Sequence, residues 1–220
     1  LTDLGCVLYQ VSPETVKQVP DLAGQIVVAF CNGHLPSYAS ILRDMGCRIV
    51  WVNCMTFVTA REAEYCRAHG PYDAYVFQSY YQRQRLVPKL TEWGYRPLQG
   101  HLIRGAFWWP TWPWQPRKPT EEFVVGQMAR SHPSKWSMVL WRTYERISYR
   151  PLKALVMGVN DEVLRKIGAP PSWATCLGPC AMPSQEFLRQ LDCFVPINGG
   201  AEENWPRVGL ECMASGVPIV

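Results

Sequence analysis

Glu203-Asn-Trp-Pro-Arg-Val-Gly-Leu-Glu211 runs directly into Cys212-Met-Ala-Ser-Gly-Val-Pro-Ile-Val220. Two carboxylates stand eight positions apart. The second opens an apolar run with helical character, and Gly-Val-Pro then leads into β-branched residues. A helix turns by about 100° per residue, so eight steps return a side chain close to the same face. A helix that starts between the two glutamates leaves Glu203 in the preceding loop and puts Glu211 in the first turns. Free N–H groups and the helix dipole at such a start favour an anion, above all a phosphate. A carboxylate beside a phosphate is suited to a different task, accepting hydrogen bonds from sugar or ribose hydroxyls.

The stretch resembles the Glu-x7-Glu signature of retaining glycosyltransferases of GT-B fold, the family-4 type. Their motif reads roughly E-x-F-G-L-x-x-x-E-A-M-A-x-G-x-P-V-V. Glu203, Glu211, Met213, Ala214, Gly216, Pro218 and Val220 match it, and Trp205 stands where an aromatic is usual. Pro206 and Arg207 replace the usual Gly-Leu. The resemblance implies an α/β protein of two Rossmann-like lobes, a nucleotide-diphosphate sugar as donor, and a glycan, lipid or small-molecule hydroxyl as acceptor. It implies Glu203 at the donor sugar and Glu211 at the ribose. Arg207 and Val208, at the mouth of the helix, count with Glu211 as donor-binding residues.

Upstream, Phe123-Val-Val-Gly126-Gln-Met-Ala-Arg130-Ser-His-Pro-Ser-Lys135 reads as a strand, a glycine and two cations five apart. In the resembling family a strand-Gly-Arg-x4-Lys arrangement holds the donor pyrophosphate. An Arg fork and a Lys point charge can neutralise a diphosphate as it leaves. The departure is that Arg130 comes four residues after Gly126 rather than next to it. Ala154-Leu-Val-Met-Gly158 resembles the family's second strand, which ends in Gly beside the nucleotide. Gly126 and Gly158 are therefore further donor-side candidates, and 176–178 resembles the segment on which the base rests. In the first half the family has a His after a central strand. Here that strand, 49–56, carries Asn53 instead, while His34 follows the strand before it. His34 and Asn53 are the weaker candidates. Ser79 reads as the cap of a helix from Tyr80.

Strand-like and helix-like runs alternate along the chain, which argues for parallel α/β layers. Strands are expected at 6–10, 25–31, 48–53, 74–78, 101–105, 122–126, 153–158, 193–197 and 218–220. Helices are expected at 37–45, 60–69, 80–93, 138–148, 162–167, 184–191 and 209–214. Residues 107–119 hold four Pro and four Trp, which suit neither helix nor central strand. They divide the chain into an N-terminal acceptor-side lobe, 1–106, a linker, and a C-terminal nucleotide-sugar lobe, 120–220. Both lobes are expected to be partial, because a parallel lobe ending one strand after its ligand motif leaves an edge and a face open. Trp108, Trp109, Trp112 and Trp114 admit stacking on acceptor sugars, seating at a membrane interface as a peripheral contact, or plain packing between lobes. Packing is the preferred reading.

Among 220 residues, 48% are hydrophobic and 18% charged, with a net charge of +4. That excess suits an anionic small ligand and not nucleic acid, which calls for a concentrated basic stripe. No transmembrane run or signal-peptide core is present in the sequence. The nine cysteines read as small buried hydrophobes of a reducing, cytoplasmic compartment, with no spacing that suggests zinc. No metal or other cofactor is expected. The competing readings are a non-catalytic two-lobed solute- or nucleotide-binding protein and a nucleotide-sugar epimerase. The first calls for a signal peptide and few free cysteines; the second calls for catalytic carboxylates and His in both lobes.

Overall fold

A computed structural model of the chain describes residues 6–118 and 120–220. The first five residues of the expected N-terminal lobe and the last linker residue, Pro119, lie outside the described residues. The chain packs as two units. One runs to Gly105 and takes in Glu203–Trp205; the other comprises Ala106–Glu202 and Pro206–Val220.

In the first unit, strands β1 (Ile26–Phe30), β2 (Arg48–Val52), β3 (Ala74–Phe77) and β4 (Gly100–Leu102) form one parallel sheet in chain order. Helices α1 (Leu35–Asp44), α2 (Ala60–His69) and α3 (Tyr80–Thr91) make the crossovers that parallel strands require. Ile49, Tyr75 and Phe77 are fully buried and anchor the core. Ile26, Val28 and Phe30 alternate along β1 and lie exposed on its other face. Helix α2 begins where expected because Thr59 and Glu62 form a capping box. Thr59 Oγ1 accepts from the Glu62 amide at 3.3 Å, and Glu62 Oε2 accepts from the Thr59 amide at 2.8 Å. Ser79 caps α3 as expected, its Oγ accepting from the Gln82 amide at 3.0 Å.

The second unit holds β5 (Phe123–Met128), β6 (Leu152–Met157), β7 (Ala174–Leu177) and β8 (Cys193–Phe194), all parallel, in the order β7-β6-β5-β8. Ile219 bridges Phe194. Helices α4 (Leu140–Glu145), α5 (Asp161–Ile167), α6 (Ser184–Leu188) and α7 (Arg207–Ser215) connect them. The sheet winds one way from β5 to β7 and then restarts on the other side of β5. That reversal is the doubly wound arrangement, and ligands of such sheets bind where it occurs, beyond the strands' C-terminal ends.

Several expected elements differ. Residues 6–10 form no strand, and Val7, Leu8 and Tyr9 are exposed. Helix α4 is shorter than expected. The Arg150 guanidinium donates to the Glu145 carbonyl at 2.9 Å and to those of Ile147 and Tyr149, taking up carbonyls that a longer helix would use. Strand β7, unrecognised as such by its pattern, forms against β6. Strand β5 does not end at Gly126 but runs two residues further.

Gly126 is buried in mid-strand. A Cβ there would stand 2.5 Å from the Leu155 carbonyl oxygen and 2.6 Å from Leu191 Cδ2. Gly126→Ala is therefore expected to destabilise the second unit by about 1–3 kcal/mol through overpacking, measured by chemical denaturation. Unchanged stability would mean that the strand spacing at this point is not set by the missing side chain.

Candidate functional site

At the reversal point of the second sheet, two loops leave adjacent strands. One follows β5 and carries Arg130 and Lys135; the other follows β8 and leads through Asn198-Gly199-Gly200 towards α7. Arg130 is exposed, and Lys135 closes a short 3-10 turn, Pro133–Lys135. The loops are fastened to each other. The Ala201 amide donates to the Ser134 carbonyl at 3.0 Å, and Lys166 Nζ donates to the Pro133 carbonyl at 2.7 Å. Buried Gln127 donates to the Lys135 carbonyl at 3.0 Å, and its Oε1 accepts from the Ile197 amide at 2.7 Å. Buried Trp136 donates from its indole to the Arg130 carbonyl at 3.0 Å.

Two glycines let these segments approach so closely. Gly158, which follows β6, has φ +105°, and a Cβ there would fall 1.8 Å from the Ala129 carbonyl oxygen. A Cβ on Gly199 would fall 2.0 Å from the Trp136 carbonyl oxygen. Gly158 thus sits at the candidate site through its backbone. Gly126, by contrast, packs inside the sheet against Leu191 in mid-strand. The donor-side expectation reached it because the strand was read as ending there.

Helix α7 begins at Arg207 behind Pro206, with no side chain capping its first turn. Arg207 places a positive charge on the positive end of the helix, an unfavourable position without a counter-anion. Its side chain is 82% exposed, and its Nε reaches Glu211 Oε1 at 2.9 Å. Glu211 itself is 4% exposed. Burial raises its carboxyl above the ordinary 4.5, and the charge and hydrogen bond of Arg207 act against that rise. The expected donor residue Val208 is half-buried and packs on the cluster around Phe187, Leu188 and Phe194. Only its backbone is suited to a ligand.

Glu203 is exposed in the loop before α7, and its neighbours pack with the first unit. Asn204 is buried. It accepts from the Ser79 hydroxyl and donates to Gln78 Oε1 at 3.3 Å, at the C-terminal end of β3. The Trp205 ring lies against Gly105, where a Cβ would come within 2.9 Å of its Cδ1. The anchoring by Asn204 was not readable from the motif, because its partners lie some 125 residues away in the chain.

The two weaker candidates separate. His34 is exposed just before α1, with its amide donating to Asn32 Oδ1 at 3.0 Å. Asn53 is buried and its amide is engaged. Nδ2 donates to the Phe57 carbonyl and Oδ1 accepts from the Met55 amide, both at 2.8 Å. It fastens the loop after β2. The same loop carries a correction: Cys31 and Cys54 form a disulfide, with Cα atoms 5.7 Å apart. The other reading of the cysteines holds for Cys66 and Cys212, whose thiols burial pushes up to about 11 and about 12. Phe107, Trp109, Trp112 and Trp114 pack with Leu210, Met213 and Ala214 of α7 around an open apolar groove of about 440 Å³.

Among the described residues, no group of three or more His, Cys, Asp or Glu side chains is placed to hold a metal ion, and no helix is long and apolar enough to cross a membrane. No protein-family model matches the chain, and no curated sequence does. Solved structures do match. The lipopolysaccharide outer core galactosyltransferase WaaB aligns with a TM-score of 0.64 at 14% identity, over 94% of this chain and 58% of its own. Anabaena Alr3699/HepE, in complex with UDP and glucose, aligns with a TM-score of 0.58 at 14% identity, over 84% of this chain and 54% of its own. The pneumococcal O-GlcNAc transferase GtfA, in complex with UDP and GlcNAc, gives 0.61 at 15% identity, over 94% and 43%. At this identity the shared property is the fold, the α/β GT-B architecture with two parallel sheets. The chain spans about half the length of these proteins.

The state of Glu211 has a measurable consequence. Its folded pKa is raised, so the stability associated with its neutral form is fully present at low pH and is lost as pH rises through the folded value. Glu211→Gln keeps the volume and stays neutral. It is expected to melt higher than the unsubstituted protein at neutral pH, with the difference fading as pH falls below about 4.5. Parallel thermal melts across that range decide the matter; a pH-independent difference would mean that Glu211 carries no raised pKa.

Proposed function

We propose that this chain forms the donor-binding core of a retaining glycosyltransferase that transfers a sugar from a nucleotide-diphosphate donor to a hydroxyl acceptor. One observation carries the reading. At the winding reversal of the second sheet, the loop with Arg130 and Lys135 is fastened to the loop that leads into the uncapped, Arg207-bearing start of α7. The helix dipole, exposed Arg130 and Arg207 and half-buried Lys135 there favour a diphosphate. The fold likeness to HepE, solved with UDP and glucose, and to GtfA, solved with UDP and GlcNAc, supports the same class of donor.

In this reading Arg130 and Lys135 neutralise the diphosphate as the glycosidic bond breaks, which is the kind of preorganised charge that lowers a barrier most effectively. The backbone at Gly158 and Val208 borders the nucleotide, and Glu211 receives the ribose hydroxyls. Glu203 faces the transferring sugar, where positive charge develops. The departing phosphate takes the acceptor's proton, so no side-chain base is required. Arg and Lys carry the charge that a metal ion would otherwise offset. The acceptor is a glycan or lipid hydroxyl.

The direct test is a thermal-shift series with UDP, GDP and ADP. At least one is expected to raise the melting temperature, since a ligand that binds only the folded state stabilises by mass action. No shift at saturation with any of the three would remove the donor site.

The two glutamates have separable roles. Ribose binding is similar in ground and transition states, so Glu211→Gln is expected to raise the donor KM more than it lowers kcat. Glu203→Gln is expected instead to cut kcat by roughly 10²–10³, because an amide does not stabilise oxocarbenium-like charge. Steady-state kinetics on both variants check this, and an identical defect in the two would refute the division of labour.

A further inference from the structure

Gln127 occupies the penultimate position of β5 and is 2% exposed, in a strand otherwise built of Phe, Val, Gly and Met. A primary amide in such surroundings is costly unless its hydrogen-bonding groups are satisfied, and a strand needing only to fill space would be served by Leu or Met. Here the amide meets two backbone groups from two different loops. Nε2 donates to the Lys135 carbonyl eight residues ahead, and Oε1 accepts from the Ile197 amide seventy residues ahead. These are the loops on either side of the winding reversal. The first of the two partners is the peptide of Lys135 itself, so the bond fixes the point from which that lysine's side chain departs. Lys166 ties the same two loops from α5, at the carbonyls of Pro133 (2.7 Å) and Gly199 (3.4 Å). With both loops held at two places, the amide bond to Lys135 has one geometry, and a satisfied buried network of this kind favours a single arrangement over alternatives.

We propose that Gln127 is a positioning residue for diphosphate binding, acting through Lys135. It makes no contact with the ligand: both ends of its amide are engaged with backbone and its side chain is buried. It sets the height at which the Lys135 loop stands over the crevice and locks that height to the loop after β8. The inference rests on the donor-site reading above and adds to it a residue of the stretch 123–135 to which the sequence reading gave no role. A purely structural role would give a different signature. Losing a bond that only stabilises the fold weakens the protein whether or not Lys135 is present. Losing a bond that acts through Lys135 matters only while the lysine is there to be placed.

The experiment is a double-mutant cycle on nucleoside diphosphate affinity, read by calorimetric titration of UDP, GDP and ADP into the folded protein. Lys135→Met is expected to weaken the best of the three by roughly 10- to 100-fold, the worth of a charge-assisted hydrogen bond. Gln127→Met is expected to weaken it by about 10-fold. The double variant is expected to bind within about 2-fold of Lys135→Met alone, because the two changes remove one interaction. Equal weakening by Gln127→Met in both backgrounds overturns the proposal, as does unaltered affinity in the single variant. If Gln127→Met does not fold, Gln127→Asn keeps a polar head one methylene too short to span both loops, and the same cycle applies. Failure of the unsubstituted protein to bind any of the three overturns the donor-site reading and this inference with it. That result is distinct from an additive cycle, which overturns the inference alone.

Discussion

The ladder of β5 is the constraint on which the second unit depends. β5 pairs with β6 over six residues on one side and with β8 on the other. A parallel strand reaches its neighbour only through a crossover. When crossovers leave a central strand in both directions, the loops at its C-terminal end cannot close over one another, and a crevice remains there. Everything that gives this unit chemical character sits on the two loops flanking that crevice or on the helix that the second one feeds. The first unit has the contrasting arrangement: among the described residues its four strands follow in chain order, with no such reversal.

Much of this was legible in the sequence, and the reasons are local. Helix α2 was found at its observed bounds from the alternation of runs, and in the structure Thr59 and Glu62, three positions apart, form the capping box that starts it. The strands from β1 to β3, β5 and β6 were found because their apolar runs are bounded by polar or glycine-containing turns. The loop-then-helix reading of 203–211 follows from spacing, and the structure places Glu203 before α7 and Glu211 within it. Residues 6–10 show the limit. Their composition suits a strand, but a strand exists only with a partner, and pattern alone does not supply one. Gly126 shows a second limit: glycine marks a strand end and a close crossing with the same letter, and only the position of Leu191 separates the two.

What remained hidden is long-range. Gln127 reads as an ordinary polar residue inside an apolar strand, and its meaning lies in carbonyl and amide groups of loops that the fold brings to it. Asn204 sits inside the most informative motif of the chain, yet its partners are Gln78 and Ser79. Cys31 and Cys54 are two of nine cysteines with no diagnostic spacing, and pairing cannot be deduced from such a set. Asn53 was legible as the residue closing a strand but not as one whose amide bonds to the turn that follows.

The start of α7 combines features that are poor choices for stability taken singly. Arg207 stands at the positive end of a helix dipole. Glu211 is buried with a partner that is itself mostly in water, so its desolvation is only partly offset. Pro206 leaves the first turn without a side-chain cap. Gly158 and Gly199 leave no space for a Cβ where the chain segments meet. Each of these has a remedy that a sequence under folding pressure alone could adopt: a Ser or Asp cap, an apolar residue for Glu211, an acidic residue for Arg207. A bound anion with hydroxyl groups alongside answers the charge, the desolvation and the missing cap at once. On the proposed reading its charge meets Arg207 and the dipole, its hydroxyls donate to Glu211, and it replaces the missing cap. The concentration of these features around the start of one helix is what the proposed nucleoside diphosphate accounts for.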